Sequence, residues 1–218
     1  MFHTTEKFPA LHAFETGFSQ IKYELDRILG KPLRPLHEST WAGERPDYLT
    51  NPTDRSTAWK TYTFRFFGID HLPNMESCPF IASLVRKFPA IVTAEFSMLE
   101  PHTHILPHKG YTHKVLRSHL GMQIPEGDTA IRVGDETRSW EEGEFLIFDD
   151  SIDHEAWNRT DEQRIVLMLD FEPGFDEDTA KLISRSVITS TKDKYLLEIA
   201  PREMWVEWLE NGHFPRQL

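Results

Sequence analysis

The feature that most constrains this chain is a close succession of short apolar runs with no room for helices between them. From Lys60 the residues Tyr62, Phe64 and Phe66 alternate with Thr61, Thr63 and Arg65 until Gly68 ends the run. A period of two predicts a strand with one face in the core. Strand-like runs then follow at 91–99, 113–124, 130–135, 144–149 and 164–171, separated by turns at Pro101, Gly110, Pro125-Glu126-Gly127 and Gly143. The helical stretch "CPFIASLVRKF" at 78–88, with Pro79 in its first turn, precedes the dense part. Strands so closely spaced pair through hairpins, which makes the core an antiparallel sandwich or barrel.

The flanks read differently. Phe14, Phe18, Ile21, Leu25 and Ile28 recur at helical spacing, and Gly30 with Pro32 supplies a stop, so 12–29 is expected to be one amphipathic helix. Residues 31–58 are rich in Pro, Asp, Ser and Thr without a period and read as a long loop or cap able to carry substrate contacts. The tail returns to helix at 176–187 and 201–210, the latter presenting Trp205, Trp208 and Leu209. With no internal repeat, residues 1–218 form a single domain whose core runs from about 59 to 171.

Charge and composition exclude several classes of partner. A formal charge of −11 offers no concentration of Lys and Arg for a nucleic-acid polymer. No stretch is apolar for long enough to span a membrane, and the first residues lack a basic segment followed by an apolar run, so a cytoplasmic protein is expected. The single cysteine, Cys78, rules out an internal disulfide and any Cys-rich zinc cluster, whereas eleven histidines make imidazole the abundant metal-binding group. Nothing in the sequence indicates an oligomeric state.

Three of those histidines fall in "HTHILPHKG", 102–110. His108 sits in a Pro107-to-Gly110 turn, and His154 follows "FDDSID" at the end of the 144–149 strand; both lie at strand mouths, where a barrel gathers metal ligands. His108-Lys109-Gly110 begins like an iron site of the His-x-Asp type but has glycine in place of the carboxylate. Arg117 and His119 alternate along "KVLRSHLGMQI", placing a cation and an imidazole on one strand face among apolar residues. Arg164 opens "RIVLMLDF", on a strand expected to lie beside that of His154. A guanidinium at the start of a core strand needs a partner: Asp149, Asp150 or Asp170, or the carboxylate of a small molecule in the barrel. A metal flanked by arginines facing a cavity suits a dicarboxylate that also chelates, and 2-oxoglutarate meets both demands. Trp140 and Trp157 belong either to the core or to the wall of that cavity.

The segments "PHKGYTHKVLRSHLG", "AIRVGDETRSWEEGEFLIFDDSIDHEAWN" and "RIVLMLDF" closely resemble the catalytic domain of the aspartyl/asparaginyl β-hydroxylase family, over about Trp59 to Phe171. The resemblance implies a mainly β double-stranded β-helix (jelly-roll or cupin-like barrel) with flanking N- and C-terminal helices, and an oxygenase using Fe(II), 2-oxoglutarate and O2. It makes His108 and His154 the iron ligands and places Ser97, Arg117, His119 and Arg164 around 2-oxoglutarate, with Arg164 at the distal carboxylate. His104 matches a turn histidine of structural role, and His102 has no counterpart. Gly110 also fits, because the peptide hydroxylases of this family resemble two-histidine enzymes with water in place of the carboxylate; Asp149 or Asp150 as a substitute ligand is the lesser alternative. Lys109 departs from the pattern, and the chain lacks the membrane anchor and helical repeats of the large peptide-modifying members. The expected substrate is therefore a small molecule, amino acid or peptide. Two competing readings are an iron halogenase, with chloride in the position Gly110 leaves open, and a non-catalytic cupin-like protein that binds metal or 2-oxoglutarate.

Overall fold

The computed structural model describes residues 2–31, 42–44, 49–50 and 58–216. Its strands are β1 (Phe2–His3), β2 (Ala42–Glu44), β3 (Leu49–Thr50), β4 (Trp59–Phe66), β5 (Ile69–Asp70), β6 (Ile91–Leu99) and β7 (Thr103–His108). They continue as β8 (Leu116–Gln123), β9 (Thr129–Val133), β10 (Glu136–Arg138), β11 (Phe145–Phe148), β12 (His154–Asn158) and β13 (Arg164–Phe171). One sheet has the order β1-β11-β8-β13-β6-β4-β2 with β5 paired to β4, and the other the order β10-β9-β12-β7-β3. From β6 onward the chain crosses repeatedly from sheet to sheet: β6, β8, β11 and β13 lie in the larger, β7, β9, β10 and β12 in the smaller. That winding is a double-stranded β-helix.

Every residue of β6 and β13 is buried, because the larger sheet is covered on both faces. Ile165, Leu167, Leu169 and Phe171 on one face of β13 join Phe96, Leu120 and the helical residues Phe14, Ile21, Leu25 and Ile81 in one apolar cluster. A second cluster seats Phe66, Phe67, Val92 and Val115 against the C-terminal helices through Ile183, Val187, Trp205 and Trp208. Each such large apolar side chain contributes about 1.5–3 kcal/mol on burial. The inner face of the larger sheet carries fewer apolar groups, among them Leu99, Phe148 and Val166. Alternation turns Arg164, Met168 and Asp170 the same way as Val166. The helices thus take the oily face and leave the polar one for a site between the sheets.

Several expectations change. The single helix over 12–29 is broken into His12–Thr16 and Phe18–Ile28 at Gly17, where an added Cβ would lie 2.5 Å from the Phe80 ring. β7 and β12, read as turn and polar linker, are strands. The 31–58 segment lies mostly outside the described residues, and its described parts are β2, paired to β4, and β3, paired to β7. Arg164 is not on a strand beside His154: β13 pairs with β6 and β8, while β12 pairs with β7 and β9 in the opposite sheet. The tail helices run Glu177–Ser190, Lys194–Ile199 and Arg202–Asn211, and among the described residues no helix is long and apolar enough to cross a membrane.

Candidate active site

His108 closes β7 and His154 opens β12, and the two are direct partners across the antiparallel pair. Their ring centroids are 4.2 Å apart. Each ring places Nδ1 2.9 Å from the carbonyl two residues earlier in the chain, Leu106 for His108 and Ile152 for His154. A carbonyl only accepts, so Nδ1 carries the proton and Nε2 keeps the lone pair. Burial pushes His108 down to about 4 and His154 to about 3, the latter helped by its neighbour His108. Both imidazoles are therefore neutral at pH 7, as a metal ligand must be. Among the described residues no third His, Cys, Asp or Glu joins them in a metal-binding group. Among the described residues, two imidazoles are available there.

Gly110 is a glycine for a steric reason. Its N–H donates to the Asp150 carbonyl at 2.8 Å, and a Cβ on it would lie 1.9 Å from Asp150 Oδ2. The space beside Gly110 is filled by that carboxylate, which is 1% exposed and lies 3.2 Å from Arg117. Burial raises Asp150 to about 7 against the opposing pull of Arg117. Arg117 is further held by Asp170, with Nε and Nη2 donating to the two carboxylate oxygens at 2.7 and 2.8 Å. The aspartate salt bridge foreseen for Arg164 thus belongs to Arg117. Asp149 is occupied as well, accepting the Ser151 N–H at 2.9 Å.

Arg164 has no such partner. It is 1% exposed and forms no ion pair among the described residues; Nη1 donates to the Ser97 carbonyl at 3.3 Å, and Nε has no hydrogen-bond partner. Burial alone pulls its guanidinium down to about 9. Its charge lies 4.6 Å over the Trp140 ring, whose Nε1–H donates to His119 Nδ1 at 3.2 Å. An indole N–H only donates, so His119 accepts at Nδ1 and carries its proton on Nε2, which is buried without a partner among the described residues. Two buried donors, one of them cationic, are therefore left without an acceptor among the described residues, which is costly unless something accepts from them.

Ser97, Arg117, His119 and Arg164 line one cavity together with His108 and His154. All six residues singled out in the sequence are brought together there, Arg117 as a paired residue of the wall. Ser97 Oγ accepts from Trp59 Nε1 at 3.0 Å. An adjoining cavity shares Trp59, His108, Arg117 and Met168 with the first and opens between Phe66, Phe67, Tyr111 and Tyr195. Trp140 belongs to the site, whereas Trp157 faces outward and donates to Asp128 at 2.6 Å. His102 and His104 lie outside the cavity, on Asp161 at 2.9 Å and Glu155 at 2.7 Å. Sequence reasoning missed Trp59 and the pairing of Arg117 with Asp170; only the cross-strand register, Arg117 opposite Asp170, reveals the latter.

Comparison with known proteins adds an independent finding. A family model described as aspartyl/asparaginyl beta-hydroxylase matches residues 15–173. The ornithine lipid ester-linked acyl 2-hydroxylase of Rhizobium tropici is 40% identical over 171 residues, covering 78% of this chain and 59% of that protein. The human aspartyl/asparaginyl beta-hydroxylase is 32% identical over 165 residues, 72% of this chain and 21% of its own length. Mouse aspartate beta-hydroxylase domain-containing protein 2 is 34% identical over 124 residues, 53% of this chain and 36% of that one. The chain spans less than two thirds of each of these relatives.

Proposed function

Since the chain belongs to the aspartyl/asparaginyl beta-hydroxylase family, we propose that it is an Fe(II)- and 2-oxoglutarate-dependent hydroxylase acting on an unactivated C–H bond of a small amphiphilic, amino-acid or peptide substrate. The observation that carries the reading is the pair of stranded donors, Arg164 Nε and His119 Nε2, in the same cavity as the two neutral imidazoles. The residues present fit both groups: lone-pair nitrogens of His108 and His154 suit a divalent iron, and a buried guanidinium without a carboxylate partner among the described residues suits a carboxylate brought by a ligand.

Each residue then has a definable part. His108 and His154 hold the iron, their rings fixed by the Leu106 and Ile152 carbonyls. Arg164 and His119 bind the distal carboxylate, and Trp140 orients both by accepting the guanidinium over its face and donating to His119. The Ser97 hydroxyl, held by Trp59, is available to the same carboxylate. Phe148, Ile105, Ile131 and Ala156 keep water from the cavity. When bound, iron with 2-oxoglutarate and O2 supplies the oxidising power for oxygen insertion. The substrate occupies the adjoining cavity, where Phe66, Phe67, Tyr111 and Tyr195 offer an apolar wall beside His108.

The name of the Rhizobium relative adds a lipid acyl chain to the substrate classes worth testing. The halogenase reading gains no support from Gly110, because the space beside its Cα is taken by Asp150 rather than left open to an anion. The test is succinate released from 2-oxoglutarate under air with Fe(II), screened with amino acids, peptides and ornithine-containing lipids, followed by product mass in chloride buffer. One added oxygen supports the hydroxylase; a halogen isotope pattern would replace it by the halogenase; binding without succinate would leave a non-catalytic binder.

A further inference from the structure

On the outer face of the smaller sheet, directly behind His154, four side chains form a continuous bridge across three strands. Glu155, the residue after His154, accepts from Arg132 Nε of β9 at 2.5 Å through one oxygen and pairs with His104 Nε2 of β7 at 2.7 Å through the other. Arg132 reaches round to Asp153, the residue before His154, with Nη2 2.9 Å from Oδ1, and its Nη1 donates to the Gly134 carbonyl at 2.7 Å. Both neighbours of His154 are therefore tied to one guanidinium.

The bridge stands where the backbone ladder is weakest. His154 pairs with His108 and Ala156 with Ile105, so Glu155 alone faces both Leu106 and Pro107. That bulge puts an irregularity between the His108–His154 pair and the rest of the β7–β12 ladder, and Pro107 has no N–H to give it. The ladder pairs the two histidines directly but is interrupted immediately beyond them, and there side chains that cross the strands add a second tie. A planar guanidinium with several fixed donors suits that task, since it holds two carboxylates and a carbonyl at set angles.

We infer that Arg132 and Glu155, with His104 as the anchor on β7, are positioning residues that set the His108–His154 spacing for the metal without touching it. This deepens the reading given under the proposed function and rests on it. An ordinary surface ion-pair network, by contrast, would add a little to folding stability and leave metal affinity unmoved.

The two roles separate in a titration of metal-free protein with Fe(II) without oxygen, and with Co(II), whose visible absorption reports ligand geometry. Wild-type protein binds one equivalent; Glu155→Ala weakens binding by about tenfold and alters the Co(II) spectrum, and Arg132→Lys, which keeps the charge and loses the fork, behaves the same way. Glu155→Gln, isosteric and able to accept only one of the two bonds through its single amide oxygen, falls between and carries the test should Glu155→Ala fail to fold. Affinity and spectrum within about threefold of wild type, with only the melting temperature of the metal-free protein lowered, would overturn the inference. Absence of Fe(II) binding by the wild type would instead remove the metal site itself and the inference with it.

Discussion

At the scale of single residues, the site was legible where a residue type conflicts with its surroundings. Arg164 and His119 stand out in the sequence because a cation and an imidazole have no business on core strands without a partner. What the sequence withheld was which arginine has one, since the pairing of Arg117 with Asp170 depends on register between strands 53 residues apart. From the stranded state of Arg164 follows an unusual expectation: Arg164→Met should raise the stability of the metal-free protein by about 1–3 kcal/mol, because a desolvated cation is removed and no ion pair is lost. The same variant should weaken 2-oxoglutarate binding roughly ten- to a hundred-fold with Fe(II) affinity unchanged. A destabilised variant that still binds 2-oxoglutarate normally would show a structural arginine instead. The buried imidazoles make a pH prediction as well. Burial lowers His108 to about 4 and His154 to about 3, and holds His119 well below its ordinary value, so as pH falls below about 6.5 the unfolded chain takes up protons first. The stability these groups contribute is fully present above that pH and is lost on descent towards the folded values. Denaturant midpoints of metal-free protein should therefore fall from pH 7 to pH 5, and fall less in His108→Gln/His154→Gln; equal slopes for the two proteins would contradict the burial of neutral rings.

At the scale of elements, the strands of the larger sheet were readable from period and apolarity, whereas β7 and β12 were not. "THILPH" and "HEAWN" alternate, but their buried positions include Thr103, His154 and Asn158, so the apolar signal is diluted by polar residues. Pro107 and the bulge beside it then read as a turn. The need for glycine at 17 was hidden for another reason, since the Phe80 ring that closes the space beside it is on a helix distant in sequence. The end of β7 supplies a test of packing between elements. Gly110→Ala would place a methyl 1.9 Å from Asp150 Oδ2, so it should destabilise the protein by about 1–3 kcal/mol and weaken metal binding by shifting the segment that follows His108. Adding Asp150→Ala makes room for the methyl, and the double variant should be more stable than the sum of the two single changes; simple additivity, measured by denaturant unfolding, would show that the two residues do not compete for space.

At the scale of the whole molecule, the division of labour is between a double-stranded β-helix, whose interior between the two sheets holds the polar residues, and helices at both ends of the chain that cover its oily outer face. That division follows from alternation on β13 and β8, where one face is taken up by helices and the other by Arg164, Asp170, Arg117 and His119. The barrel was foreseeable from strand density; its two-sheet crossover pattern needed the family resemblance, because hairpin spacing alone does not say which sheet a strand joins. The central claim is that one cavity binds iron and the dicarboxylate together, the first through His108 and His154 and the second through Arg164 and His119. It is tested most directly by calorimetric titration of 2-oxoglutarate, without oxygen, into wild-type protein with and without Fe(II). One equivalent that binds tightly only when iron is present is the expected result; no binding, or binding of equal strength in the metal-free protein, would contradict it.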